Sequence, residues 1–417
     1  MNKPINNHLV RQSVIFIVIT VVIESIGFGI IIPVMPQLIQ SLTGEDISHA
    51  AFYGGWLLFS YAVMQFVCAP VMGNLGDRFG RRPVLLLSLF VLGVDYLIMA
   101  AAPNIAWLFV GRIIAGIAGS SFSTANAYVA DISDANNRAQ NFGLVGASFG
   151  VGFVVGPAIG GFLGEYGPRA PFYAAAALSL VNVLYGYFVL KESLAPEHRR
   201  AFNWRRANPV GSLIQIKQNS VVFGMGCAVF LFMLAHMALP AVWSYYTQAK
   251  FNWSPVQIGY SLAYAGVLMI IVQAGLIRVV IPRFGAKRAG TVGLIAMIIG
   301  FFGYGSASAG WQLYIWMTVA AISGLVMPSF QSVMTSNTAK NSQGELQGAI
   351  AALTSLTSIV SPILMTQLFG HFSDPEGSFY LPGISFLTAA VLECFTLVIF
   401  LWVILAARSV QPASNPA

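Results

Sequence analysis

Gly73-Asn74-Leu75-Gly76-Asp77-Arg78-Phe79-Gly80-Arg81-Arg82-Pro83 lies between two long apolar runs, and its reading decides the fold. Three arginines and one aspartate fall within the six residues Asp77–Arg82, in a chain that is only 8% charged. Such a cluster is solvated only where the chain leaves a bilayer. The stretch is therefore expected to be a tight loop at a membrane surface, joining two spanning helices.

The composition agrees. The 417 residues are 57% hydrophobic, and the mean hydropathy is +0.75. A soluble protein of this size carries about a quarter charged residues, so this chain could not cover a water-facing surface. A polytopic helical membrane protein is the class that fits. The net charge of +7 would suggest nucleic acid in a soluble chain, but here the basic residues sit in short loops and topology explains them. Cys68, Cys227 and Cys394 stand apart in apolar runs and read as small core residues. The run from Val14 to Ile39 is too long for a signal h-region and reads as an uncleaved first span.

At about 20 apolar residues per span, twelve are expected: 14–39, 51–73, 84–102, 106–130, 140–163, 172–190, 220–246, 256–281, 290–308, 312–336, 347–370 and 382–407. The expected organisation is a six-helix bundle over 1–190, a cytoplasmic linker over 191–219 and a second six-helix bundle over 220–417. Arg78, Arg81, Arg82, Arg138, Arg199, Arg200, Arg283, Lys287 and most other cations fall on one side. That bias places both termini in the cytoplasm. The halves also repeat. Arg78-Phe79-Gly80 recurs as Arg283-Phe284-Gly285, 205 positions on, and Gly143 and Pro157 recur as Gly348 and Pro362 at the same offset. Paired bundles with a site between them are an architecture of secondary transporters.

Acids inside spans need a reason, because translocon scales charge about 2.5–3.5 kcal/mol for one at a helix centre. Asp95 in the third span and Glu24 in the first are candidates for proton coupling, which needs a carboxylate that alternates between charged and neutral. The alternative is a carboxylate held by a hydrogen bond or by Arg112. Glu393, in the last span, reads as peripheral or structural. Arg112 opens the fourth span and must be paired or hydrated; snorkelling is its alternative. Gly152, Gly156, Gly160 and Gly164 lie on one face of the fifth span and permit close helix approach. Pro157 can kink that span. Gln65, Asn126, His236 and Gln331 could line a substrate cavity, although each could equally serve packing. The sequence has no Walker loop, zinc motif or nucleophile elbow, and neither cofactor, metal nor enzymatic activity is expected.

Gly73–Arg82 resembles the signature loop of the major facilitator superfamily, and the context of Arg112 is similar to a second superfamily motif. Gly152 through Gly161, with Gly156-Pro157, resembles the antiporter motif of drug exporters. Ile26–Pro36, Val94–Leu97 and Gly344–Ser358 are similar to the bacterial tetracycline-efflux family. The resemblance implies a drug:proton antiporter of the bacterial inner membrane whose partners are protons, a small amphipathic substrate and lipid, working as a monomer. It implies proton coupling at Asp95, Glu24 and Arg112. It implies gating at Asp77, Arg78 and Arg81 with Gly73 and Gly80, an antiporter motif at Gly152, Gly156, Pro157, Gly160 and Gly161, and a substrate contact at Gln273. Two departures stand out: the first-span acid is glutamate, and the ninth span has Met297 where the exporters carry aspartate. The alternatives are a facilitator for an unrelated metabolite and a receptor or scaffold without flux.

Overall fold

The computed structural model describes residues 7–119, 121–134, 137–201, 220–339, 342–375, 377 and 379–409. Among them every regular element is helical. Eleven helical stretches are long and apolar enough to cross a membrane, and Ile105–Ala118 is a shorter apolar helix in the place of the fourth span. The second half of the expected linker, from 202 on, lies outside the described residues.

Local chemistry moves several of the expected boundaries. The first span ends at Ile31 rather than 39, because Pro33 disfavours helix at Ile32; a separate helix, Met35–Thr43, follows. The second span runs from Ile47 to Phe79, well past the expected end at 73. Its start is capped by Asp46, whose carboxylate accepts the His49 N–H at 2.9 Å. Partial burial would raise that carboxyl, but bonds from His49 and Ser48 hold it below its ordinary range. The fourth span is divided into Ile105–Ala118 and Ser121–Ile132. The seventh is divided into Ser220–His236 and Ala238–Phe251. In the tenth, a 3₁₀ turn at Ile322–Leu325 precedes Val326–Ser336; Pro328 cannot donate to the Gly324 carbonyl, and the turn absorbs the loss.

Two compact units emerge. The first holds the described residues up to Ala201 together with Trp253–Gly266 from the start of the eighth span; the second holds Ser220–Asn252 and the described residues from Val267 on. Within the first unit, the glycine face of the fifth span (Arg138–Gly164) lies on the first span. A Cβ on Gly152 would be 2.5 Å from the Ser25 Cβ, on Gly156 2.8 Å from the Ile26 carbonyl oxygen, and on Gly164 2.6 Å from Val34; on Gly160 it would overlap the Ile30 carbonyl. Phe16, Ile17, Val21, Leu85, Leu89 and Tyr128 form a buried cluster beside this seam. Thr20 and Asn182 exchange a buried hydrogen bond between the first and sixth spans at 3.3–3.4 Å. Within the second unit, Met225, Phe232, Leu294, Phe330 and Phe400 form one core cluster, and Trp243, Tyr246, Tyr304 and Phe386 form an aromatic one.

The internal repeat is reproduced to the residue. The second span ends at Phe79, Gly80 turns the chain with φ 106°, and the third span (Arg81–Ala100) starts at Arg81. At offset 205, the eighth span ends at Phe284, Gly285 turns with φ 79°, and the ninth span (Ala286–Ser306) starts at Ala286. The fifth span and the eleventh (Gln343–Phe372) begin at Arg138 and Gln343, again 205 apart, and each carries its internal proline.

Candidate functional site

The acids and the arginine singled out inside the first unit come together. Arg112, in the second turn of Ile105–Ala118, places Nη2 3.0 Å from Asp95 Oδ2; the two side chains are 6% and 0% exposed. The same nitrogen donates to Met99 Sδ at 2.7 Å, and the guanidinium lies over the Tyr61 ring at 5.9 Å. Asp95 Oδ1 and Arg112 Nε are buried without a hydrogen-bond partner among the described residues. Gly111 makes room for the pair, since a Cβ there would be 2.6 Å from Asp95 Oδ1. Glu24, on the half-buried face of the first span, lies within electrostatic range of Tyr61 and Tyr96, as do Asp95 and Arg112. The Tyr96 hydroxyl closes the space beside Gly27, where a Cβ would be 2.7 Å away. The centre is thus an incompletely satisfied ion pair with a second carboxylate in range and phenols around it. A proton arriving at Asp95 would release Arg112, and a second anion could take its place.

The signature stretch is tighter still than the loop expected. Residues 73–79 are helical, and the turn is Gly80 alone. Gly73 is an ordinary helical position where a Cβ would meet nothing within 4 Å. Arg81 carries the ion pairs: Nη2 to Asp77 Oδ1 at 2.6 Å and Nε to Asp131 Oδ2 at 3.4 Å. Arg78 instead lies over the Phe79 ring at 5.0 Å.

Two participants escaped the sequence reading, Glu192 and Asp131. Glu192 Oε1 accepts the Arg81 N–H at 2.8 Å and Oε2 accepts the Arg82 N–H at 3.3 Å. It therefore caps the third span from a distance, at the end where a helix attracts an anion. Its Oε2 also lies 4.0 Å from Arg199, and the Asp77 carbonyl accepts the Arg200 N–H at 3.0 Å. A cavity of about 540 Å³ opens among Asp77, Arg81, Asp131 and Arg200. The available signal was indirect: the third span starts on Gly80, which has no side chain to cap it, so an acceptor from elsewhere was required.

The remaining candidates are dispersed. Gln65 donates to the Tyr61 hydroxyl and to the Gly119 carbonyl, both at 3.2 Å, and Asn126 is half-buried; both belong to the first unit. In the second unit, the His236 ring stacks on Phe232 at 5.6 Å and its Nδ1 is buried without a hydrogen-bond partner among the described residues. Gln331 is exposed. Gln273 is exposed within a π turn, Val272–Leu276, an irregularity often found at functional sites. Pro157 and Gly161 of the antiporter motif face the start of the eighth span: a Cβ on Gly161 would be 2.5 Å from the Pro255 carbonyl oxygen, and one on Gly259 would overlap the Pro157 carbonyl.

The description Major Facilitator Superfamily matches residues 17–362. The chain belongs to the major facilitator superfamily. It is a multi-pass membrane transporter and not an enzyme. It is 42% identical over 359 residues to the Escherichia coli tetracycline resistance protein of class C, covering 86% of this chain and 90% of that one. To the class B protein of Escherichia coli it is 34% identical over 392 residues, covering 92% and 94%. Among solved structures, the nucleoside transporter NupG superposes with a TM-score of 0.77 at 14% identity, over 94% of this chain and 99% of that one, a likeness that shows the fold.

Proposed function

We propose that this protein is a proton-coupled exporter of small amphipathic drugs, tetracycline first among them, in the bacterial inner membrane. The observation that carries the coupling reading is the buried pair of Arg112 and Asp95, 3.0 Å apart. A permanent ion pair at that depth is an expensive way to hold two helices together, whereas a carboxylate that exchanges its proton against a fixed cation is a switch. In this reading Asp95 accepts the proton, Arg112 holds its charged form, and Glu24 is the second acid. Asp77 and Arg81 act as the gate at the surface, with Arg78 beside them. The fifth-span stripe of Gly152, Gly156, Pro157, Gly160 and Gly161 is the surface on which helices move. Gln65, Asn126, His236, Gln273 and Gln331 contact substrate. The chain works as a monomer with both termini in the cytoplasm, as two bundles over 1–190 and 220–417 joined by the 191–219 linker.

The similarity to tetracycline resistance proteins of classes C and B supports the substrate. The test is drug uptake into everted vesicles under an imposed pH gradient. Asp95→Asn is expected to abolish gradient-driven uptake while the protein remains folded; uptake at the wild-type rate removes Asp95 from the coupling. One observation favours a second reading, transport of an unrelated metabolite. Met297, buried at 3% exposure, leaves the ninth span without an acid. A drug-susceptibility panel in a pump-deleted host separates the two, because a metabolite carrier confers no resistance.

A further inference from the structure

Among the described residues of the second unit, Glu393 is the most deeply buried acid, and it lies outside the Asp95–Arg112 centre. It lies in the middle of the twelfth span, Ile384–Ser409. The buried stripe of that helix runs Phe386, Ala389, Glu393, Thr396, Phe400, each 0% exposed. This is the i, i+3, i+4 spacing of a helix face turned wholly into a core. Against it packs the ninth span. A Cβ on Gly290 would be 2.9 Å from the Phe400 ring, and one on Gly305 2.6 Å from Leu387. The two helices therefore run antiparallel, and Glu393 falls midway, on the level of Met297.

Both carboxyl oxygens of Glu393 are buried without a hydrogen-bond partner among the described residues. Thr396, one turn on, gives its hydroxyl to the Leu392 carbonyl at 2.9 Å. The titratable groups of the surrounding helices lie elsewhere. In the ninth span between Gly290 and Gly305 the one such side chain is Tyr304, whose ring sits on Phe386 at 5.5 Å. That is seven residues from Glu393, about 10 Å along a helix. Lys287 and Arg288 lie beyond the Phe400 level. From Ala238–Phe251, Tyr246 also meets Phe386, at 5.0 Å, and Lys250 reaches the Gly305 carbonyl at 3.3 Å. Ser220–His236 brings Cys227 and His236, the latter stacked on Phe232. The eleventh span carries Glu345 and His371, at its two ends. Among the described residues no ion pair reaches Glu393.

An ionised carboxylate this deeply buried, without a donor among the described residues, would be prohibitively costly here. The neutral acid is the form this environment admits. Packing alone does not require it, because an aliphatic side chain of similar volume would fill the stripe without a polar penalty. At 0% exposure no organic substrate reaches the group, so its ligand is a proton. We infer that Glu393 is a proton-binding site of the second unit, occupied in the conformation of this structure and distinct from the Asp95–Arg112 centre. Its part in transport rests on the exporter reading above; the proton binding itself does not.

Infrared spectroscopy of the purified full-length protein tests it without reference to transport. At neutral pH the wild type is expected to show a protonated-carboxyl C=O band that shifts on deuteration. The band should move when the protein is labelled with carboxyl-¹³C glutamate, persist in Asp95→Asn and vanish in Glu393→Gln. The same label in Glu24→Gln, where a remaining band cannot come from the first-span acid, keeps the test valid if Glu393→Gln does not fold. A wild-type spectrum without a glutamate-derived band at neutral pH overturns the inference, as does a band that survives in folded Glu393→Gln. A proton-driven uptake assay is then read separately. Loss of uptake in Asp95→Asn together with an unchanged pH profile in Glu393→Gln leaves the exporter reading intact and removes Glu393 from the transport cycle.

Discussion

The Asp95–Arg112 pair lends itself to a double-mutant cycle. At 3.0 Å, Coulomb's law with an effective dielectric constant of about 20 gives an attraction of about 5 kcal/mol. Measured costs of removing one partner from a buried pair run at about 3–5 kcal/mol, most of it the penalty of the stranded charge. Asp95→Asn strands Arg112, whose side chain is 6% exposed; Arg112→Gln strands Asp95 at 0%. Each single variant should lose about 3 kcal/mol or more of unfolding free energy. The double variant, with two neutral amides able to bond to each other, should lose far less than the two singles combined. The coupling energy is expected at about 3 kcal/mol, read from reversible unfolding of the purified protein in mixed detergent–SDS micelles. The double variant should nevertheless fail to transport against a proton gradient, because it has no group to titrate. Additive single effects would refute the reasoning, since they would mean that water or lipid already satisfies both charges. A double variant with restored coupling would refute the titrating role and leave a structural one.

Three shorter predictions follow from the same geometry. Gly156→Ala pushes a Cβ to 2.8 Å from the Ile26 carbonyl and 3.0 Å from Gly29 Cα, backbone that cannot swing aside; a loss of about 1–3 kcal/mol is expected, and a variant as heat-stable as the wild type would contradict the seam. Asp77→Asn should leave expression and monodispersity unchanged while slowing drug uptake in vesicles, and an unchanged rate would reduce the 2.6 Å pair with Arg81 to local structure. Gly285→Ala should cost about 1–3 kcal/mol from its positive-φ backbone alone, because nothing lies within 4 Å of its Cβ position. Gly80→Ala should lose about 0.5–2 kcal/mol more, because the new methyl displaces the Glu192 cap; equal melting shifts would argue against that cap.

What the sequence discloses follows from how local the cause is. Span number, the two halves and the 205-residue offset were legible because apolar run length and loop charge are local quantities. A close approach of some helix to the fifth span was legible in Gly152, Gly156 and Gly160, because a row of missing side chains has few other uses; that the partner is the first span was not. Asp95 and Arg112 could be named separately, and their pairing could be offered only as one choice among several, since the third and fourth spans meet through side chains of unknown register. The helical course of 73–79 was missed because glycines there suggest a turn, whereas at Gly76 the missing side chain makes room for Arg81, 3.0 Å from its Cβ position. Glu192 was illegible for another reason: its partners, Arg81 and Arg82, offer backbone N–H groups, which leave no mark in a sequence. Glu393 looked peripheral because its neighbours in sequence are apolar whichever way they face.

The two copies of the loop separate what the turn requires from what has been added to it. Both end a helix on Arg-Phe-Gly, both stack the arginine on the phenylalanine, at 5.0 Å and 6.0 Å, and both start the next helix one residue after a glycine of positive φ. The second copy does so with Pro282 where Asp77 stands in the first, and with open space around Gly285 where Glu192 fills the first. A two-helix turn at this position therefore needs only the glycine. Asp77, Arg81, Asp131 and Glu192 are surplus to making it, yet they tie the end of the second span to the fourth span and to the segment after the sixth. Charged side chains at a surface contribute little to stability pair by pair, so a network that the described residues show in one copy and not in the other is poorly explained by folding. It is better explained by motion. Under the exporter reading proposed above, this cluster of ion pairs parts and re-forms during transport and sets a barrier between two arrangements of the same helices, built on the first unit.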